Sequence, residues 1–320
     1  MADVQTQLDT LAANPGDLTA LEAVETEFAS ASRWEELLRV YEDSATRLES
    51  EDAALLWRKA ANVCLQSLAS GPRAELYLKR ALSASPGDVP ALQALRELYV
   101  ARGDYELAAE TWEKEASHLQ DAAARAAGFV ALAELYLHQL SRHDKALAAL
   151  RQAVRADASN PDAHKLRASI FELQGRLEQA HDALLAELEA RGDDEELAIR
   201  LGHLAERLLE RPKLHERARA AAQAIMRYRP NDQVIDRVNQ ELEAYREHWD
   251  QKVSELSEKA RYYEGQDKRQ AADIWLSIAE IQQVYAEQPE AALQSVDKAF
   301  ANRPGHEAAL RLLEEIYGSE

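Results

Sequence analysis

Apolar residues recur along the chain at the three-to-four-residue spacing of amphipathic α-helices. The first such segment, residues 2–13, places Val4, Leu8 and Leu11 on one face. Four more follow at about 17–31, 33–49, 52–69 and 72–84, and turn sequences with Pro then recur at 85–88, 160–162, 229–232 and 303–305. Gly and Pro are too few for a loop-rich or all-β chain. The pattern therefore predicts an all-α protein.

The helical pattern also repeats. Trp34 has counterparts at Tyr105, Leu177 and Trp249, which are spaced by 71, 72 and 72 residues, and the positions seven residues further on keep the same spacing. A period kept over two helical turns and four copies indicates a repeat array. We expect one array over 1–320, with internal units of four helices at about 14–84, 85–158, 159–228 and 229–302.

The two terminal helices are expected to close this array. Residues 2–13 form the N-terminal helix, and 306–317 form a C-terminal capping helix with Ala309, Leu312 and Ile316 on its apolar face. The other face of the last helix is charged, as terminal repeats require for solubility.

The second unit carries the most specific motif, in which Pro86, Gly103-Asp104-Tyr105, Ala108 and Trp112 stand at fixed intervals. This spacing resembles the tetratricopeptide repeat (TPR). The resemblance implies a right-handed α–α superhelix, a TPR-like solenoid of about eight helix pairs plus terminal helices. It implies less about function, because one repeat fold serves many roles.

The other three units depart from the motif, and two of the departures predict local structure. The third unit is a weaker match that keeps Gly175 but has Arg and Leu after it. The first unit has Ser32 in place of Gly, and Glu35 three residues later completes a capping box, so we expect Ser32 to cap the next helix. The fourth unit, Glu247-His248-Trp249, lacks Gly, which predicts a tight or continuous junction.

Charge and cysteine content narrow the classes of function. The formal net charge of −19 argues against general nucleic-acid binding and against anionic membrane surfaces. Cys64 is the only cysteine and lies in an apolar helical pattern, so we expect it to be buried and reduced. The first residues show no signal-peptide pattern, and no apolar run approaches membrane-spanning length. We expect a cytoplasmic protein without membrane insertion.

No sequence pattern indicates catalysis. No two of the nine histidines have the i, i+4 spacing that suits zinc, and phosphate-binding glycine loops and nucleophile motifs are absent. We therefore expect no enzyme, no metal and no cofactor. A small-molecule sensor would need a closed pocket with convergent polar groups.

A basic strip is the first candidate binding surface. In TPR-like arrays the first helix of each pair lines the concave groove, and on that resemblance the third unit presents cationic groove positions. These are Arg200, His203, Arg207 and Arg211, flanked by Lys165 and Arg237. Arginine pairs with carboxylates, so the strip would suit an acidic peptide. The alternative is a solvated face that nearby glutamates balance.

An apolar and aromatic stretch in the fourth unit is the second candidate. Its groove-facing positions are Tyr245, Ile274, Ile281 and Tyr285. Rigid aromatic side chains anchor partner helices well. The alternative is that this stretch packs against the closing helix 306–317.

The function expected is that of a protein–protein interaction scaffold or adaptor, which holds a partner peptide or amphipathic helix in its groove. The alternative is an architectural subunit that self-associates or extends a multiprotein assembly through its ends, and a homo-oligomer stays open on this alternative. No residue pattern names the partner.

Overall fold

A computed structural model describes residues 2–192 and 194–318 of the chain. Within these residues it contains 18 α-helices and one short 3-10 turn, and no strand. Within each of two compact units, most helices pack against the next one along the chain. The predicted all-α, TPR-like array is confirmed.

The first compact unit comprises residues 1–163. Each of its helices contacts the next one along the chain. The helices are α1 (Ala2–Ala13), α2 (Leu18–Ser30), α3 (Trp34–Ala45), α4 (Ser50–Gln66), α5 (Gly71–Ala84), α6 (Val89–Arg102), α7 (Tyr105–His118), α8 (Ala122–His138) and α9 (His143–Ala156).

The second compact unit comprises residues 164–320, and the boundary falls inside α10. Its helices are α10 (Pro161–Leu173), α11 (Leu177–Arg191), α12 (Glu195–Leu209), α13 (His215–Tyr228), α14 (Gln233–Glu247), α15 (Trp249–Glu264), α16 (Lys268–Val284), α17 (Pro289–Asn302) and α18 (Glu307–Gly318), with the 3-10 turn at Pro212–Leu214. The division into four internal units of about 72 residues stays a prediction.

Small side chains allow the helices to approach closely. Ala74, Ala146 and Ala218 stand at intervals of 72 residues and are completely buried in α5, α9 and α13. Alanine combines the highest helix propensity with little volume, so helices that present it pack at short range. Cys64 is also fully buried, as its apolar surroundings predict.

Aspartates in the turns start several helices. The carboxylate of Asp17 accepts hydrogen bonds from the amides of Thr19 and Ala20, and Asp88 accepts one from Ala91. The first amides of a helix have no partner within it, so these side chains satisfy them and fix where the helix begins.

Ser32 does not cap α3, and that prediction is wrong. The residue has a positive φ of 56°, close to the values at Gly103 and Gly175 in the later copies. Arg33 precedes the helix instead and makes no side-chain cap bond, while Glu35 binds Arg73. The left-handed turn is kept although its glycine is not. The tight fourth junction is confirmed, since only His248 separates α14 from α15.

One connection departs from the repeat. Residues 67–70, 139–142 and 285–288 each join two helices with four residues, and Ala69, Ser141 and Glu287 have positive φ there. Between α12 and α13 the chain has five residues, 210–214, which contain the 3-10 turn. This connection is one residue longer because α12 ends one residue earlier in the repeat than α8 does, and the 3-10 turn gives it a different backbone path.

The last helix closes one side of the second unit. Ala309, Leu312 and Ile316 are buried in a cluster with residues of α16 and α17, including Trp275 and Val296. Its other side is exposed and carries Leu310 and Tyr317 beside charged side chains. The role of α18 as a capping helix stays a prediction.

Candidate protein-binding surface

Helix α12 provides the centre of the candidate surface. Asp194 caps it by accepting a hydrogen bond from the amide of Leu197. The apolar positions of one face are buried in the unit, whereas Ile199, His203 and Arg207 are exposed. Their spacing of four residues places these three side chains on one face of the helix.

Arg200, next to this exposed face, is used inside the protein. Its Nη2 lies 2.9 Å from Oε2 of Glu172 on α10, and its Nη1 lies 3.7 Å from Oε2 of Glu187 on α11. Glu187 is only 3% exposed. Burial raises the pKa of the Glu187 carboxyl, and the charges of Arg200 and Arg191 oppose that rise. Arg200 therefore compensates a buried carboxylate.

Arg211 and Arg237 are also paired within the chain. The Arg211 guanidinium binds the carboxylate of Glu280, which is 1% exposed. Burial disfavours the charged form of Arg211. The hydrogen bond and the charge of Glu280 outweigh this effect, so the pKa of Arg211 is raised. Arg237 Nη1 lies 2.8 Å from Oε1 of Glu206. The continuous basic strip expected from the sequence is thus interrupted by internal ion pairs.

Three residues of the expected strip have exposed side chains: Lys165 on α10, and His203 and Arg207 on α12. His203 is 74% exposed, with Nδ1 at 3.9 Å from Oε2 of Glu206. Within the described residues, Arg207 forms no ion pair. Arg207 can therefore reach a partner without breaking an ion pair, whereas His203 would give up its contact with Glu206.

Two exposed apolar side chains near Lys165, His203 and Arg207 were not predicted from the sequence. Leu173 at the end of α10 is 81% exposed and Ile199 on α12 is 49% exposed. Glu172 and Arg200, which are their neighbours in sequence, form an ion pair between α10 and α12. Leu173 and Ile199 therefore both lie close to the contact between these two helices. The sequence pattern could have identified them, since each is an apolar residue outside the buried stripe of its helix.

The second predicted surface divides into buried and accessible parts. Ile281 is fully buried and Ile274 nearly so, because α16 contacts α15, α17, α18 and the 3-10 turn. Their placement on an open groove is therefore corrected: both belong to the core.

Tyr245 and Tyr285 are half-buried and lie stacked, with ring centroids 6.0 Å apart. The imidazole of His215 packs against both rings, with centroids 4.6 Å from Tyr245 and 5.7 Å from Tyr285. Burial raises the pKa of Tyr285 to about 12 and also raises the pKa of Tyr245. Burial lowers the pKa of His215. These groups are therefore neutral at pH 7 and form an internal cluster.

The described residues contain no group of three or more His, Cys, Asp or Glu side chains arranged to hold a metal ion. Among the helices of 2–192 and 194–318, none combines the length and the apolar character needed to cross a bilayer.

Among known proteins, only solved structures resemble this chain. No protein-family model matches the chain, and no curated protein matches it. Among solved structures, YrrB, described as a TPR protein with an unusual peptide-binding site, is 17% identical with a TM-score of 0.33, over 82% of this chain and 92% of YrrB. A TPR protein from Parabacteroides merdae is 12% identical with a TM-score of 0.36, over 93% and 97%. These values support no inference about what the chain binds.

Proposed function

We propose that the chain is a protein–protein interaction scaffold. Its exposed surface on α10 and α12, which we call the α12 surface, consists of Lys165, Leu173, Ile199, His203 and Arg207. We propose that it holds a partner segment with both acidic and apolar side chains. The observation that carries the proposal is the exposure of Leu173 and Ile199 beside cations, in a chain with a net charge of −19.

The physical chemistry supports such a partner. Burying exposed apolar side chains on association releases about 25 cal/mol per Å² of apolar area. The guanidinium of Arg207 can donate two parallel hydrogen bonds to a carboxylate of the partner. A set of helices that is already packed loses little conformational entropy when it binds. We propose the cytoplasm as the compartment, because the one cysteine, Cys64, needs no disulfide partner.

The test is quantitative affinity capture from native extract with the wild type and with Ile199→Asp/Arg207→Glu. Both positions are exposed, so the variant should retain its helicity. We expect one stoichiometric partner with the wild type and at least tenfold less of it with the variant. The matched control is Leu76→Asp on α5, which is 50% exposed and lies in the other compact unit. Undiminished capture by the double variant would refute the assigned surface.

The architectural alternative rests on a different observation. Helix α18 exposes Leu310 to 44% and Tyr317 to 60%, one side of it being free of the core. A second copy or another subunit would bury these side chains. Light scattering over a hundredfold range of concentration tests this alternative. A mass that rises with concentration in the wild type but not in Leu310→Glu/Tyr317→Glu supports it, and a constant monomer mass excludes self-association through α18.

A further inference from the structure

Residues 210–215, which we call the clasp, join parts of the second unit that are far apart in sequence. Arg211 binds Glu280, 69 residues away, and Lys213 Nζ lies 2.5 Å from Oε1 of Glu315, 102 residues away. Pro212 and Leu214 between them are buried. The clasp includes the connection that contains the 3-10 turn, so these contacts coincide with the change in backbone path.

His215 completes the clasp. It is 2% exposed, and its Nε2–H donates to the carbonyl of Leu209 at 2.9 Å. That bond leaves Nδ1 as an acceptor for the hydroxyl of Tyr285, 70 residues along the chain. Both ring nitrogens are therefore satisfied in the neutral imidazole. The side chain is held as a bound ligand would be.

The surface that receives the clasp belongs to α14, α16 and α18. In a TPR-like array these are first helices of successive pairs, which line the groove. The receiving groups are two carboxylates and two phenol rings: Tyr245 on α14, Glu280 and Tyr285 on α16, and Glu315 on α18. Such a surface complements a segment with an Arg-x-Lys-x-His pattern, which is the sequence of 211–215.

A cavity of about 430 Å³ extends from this contact along α16. It is lined by Arg211, Lys259, Asp273, Ser277 and His306, among others. A bound segment longer than the clasp has room to continue there, and Asp273 and Ser277 would offer it further hydrogen-bond acceptors.

We propose that the face of α14, α16 and α18 is a binding site for a short basic segment, which the clasp occupies within the same chain. A partner that presents two cations two residues apart, followed by an imidazole or another small ring, competes with the clasp for this site. The proposal concerns a different surface and partner chemistry from the α12 surface and stands without it. Because the clasp is covalently tethered, its effective concentration keeps the site closed to weak competitors.

The test uses the full chain and a fluorescein-labelled peptide that copies residues 209–216. Arg211→Glu/Lys213→Glu places negative charges opposite Glu280 and Glu315, which repels the clasp from its site. We expect this variant to bind the peptide one-to-one, at least tenfold more tightly than the wild type does. A peptide with the same two Glu substitutions is the control, and it should bind neither protein.

A charge-swap pair separates opening from unfolding. Lys213→Glu alone should raise peptide affinity above that of the wild type, and adding Glu315→Lys should restore the ion pair and return the affinity to the wild-type value. Circular dichroism confirms that each variant keeps its helices. If the peptide binds every folded variant no better than the wild type, the receiving face is not a binding site and the proposal fails. Failure here leaves the capture result for the α12 surface unaffected.

Discussion

Arg211 and Glu280 form an ion pair across 69 residues of sequence, in which the carboxylate is almost fully buried. Most helices contact their neighbours along the chain, whereas this ion pair links parts of the second compact unit that are distant in sequence. The two partners differ in exposure, since the side chain of Arg211 still reaches water while that of Glu280 does not.

The first prediction concerns this pair. Replacing Arg211 by Ala leaves the Glu280 carboxylate buried without its cation, which should lower the free energy of unfolding by about 2 kcal/mol; the value is below that of a fully buried pair because water reaches Arg211. Urea unfolding at pH 7 measures it. Arg219→Ala, which breaks the exposed pair with Glu216, is the control and should cost under about 0.5 kcal/mol. Equal effects of the two changes would contradict the assignment.

The second prediction follows from His215. Its folded pKa is lowered, so the unfolded chain binds its proton more readily than the folded one does. The stability that the neutral ring contributes is fully present above the unfolded pKa of about 6.5 and is lost as pH falls below it. The charged groups around the ring are Glu280 on α16 and Glu216 and Arg219 on α13.

Thermal unfolding between pH 8 and pH 5 tests this dependence. His215→Gln keeps a donor for the Leu209 carbonyl but cannot titrate. The difference in stability between wild type and variant should shrink as pH falls from 7 to 5. A difference that stays constant over that range would show that His215 is not the group responsible.

The third prediction concerns the left-handed turns. Ala69 has φ 48° and an exposed side chain, so Ala69→Gly removes backbone strain without loss of buried area. We expect stabilisation of about 0.5–1 kcal/mol. Gly103→Ala is the opposite change at an equivalent backbone conformation, and nothing lies within 4 Å of an added Cβ there, so it should destabilise by about 1 kcal/mol for backbone reasons alone. Calorimetry of both variants decides, and the same sign for both would be incompatible with this explanation.

The fourth prediction tests whether Arg200 serves the interior. Arg200→Ala should destabilise the fold by about 1–2 kcal/mol because Glu187 loses a compensating charge. Glu187→Gln in the same chain should recover most of the loss, since the group that needed compensation is then neutral. The raised pKa of Glu187 gives the sign: the cost of its ionisation is relieved as pH falls through the folded pKa. Simple additivity of the two substitutions in urea unfolding would argue against coupling.

The helices could be predicted because the apolar spacing that defines them is local. Turn conformation was harder, as Ser32 shows: the sequence fits a capping box, but the residue adopts the positive φ of Gly103 and Gly175 in the other copies. The roles of the groove cations could not be predicted, because Arg200 and Arg211 meet carboxylates on other helices, one of them two pairs further along. The clasp left no trace in the repeat spacing, since α5, α9 and α13 begin at equal intervals of 72 residues, so the clasp and its contacts depend on packing.

Hydrogen exchange of the full chain tests most directly whether the clasp covers the face of α14, α16 and α18. This contact decides which surfaces remain open to a partner. In Arg211→Glu/Lys213→Glu, amides of 276–285 and 212–218 should exchange faster than in the wild type, while those of α4 and α5 in the other unit should not change. Such localised loss of protection is the predicted result. Unchanged exchange of 276–285 in the folded variant would contradict the claim that the clasp closes the second unit.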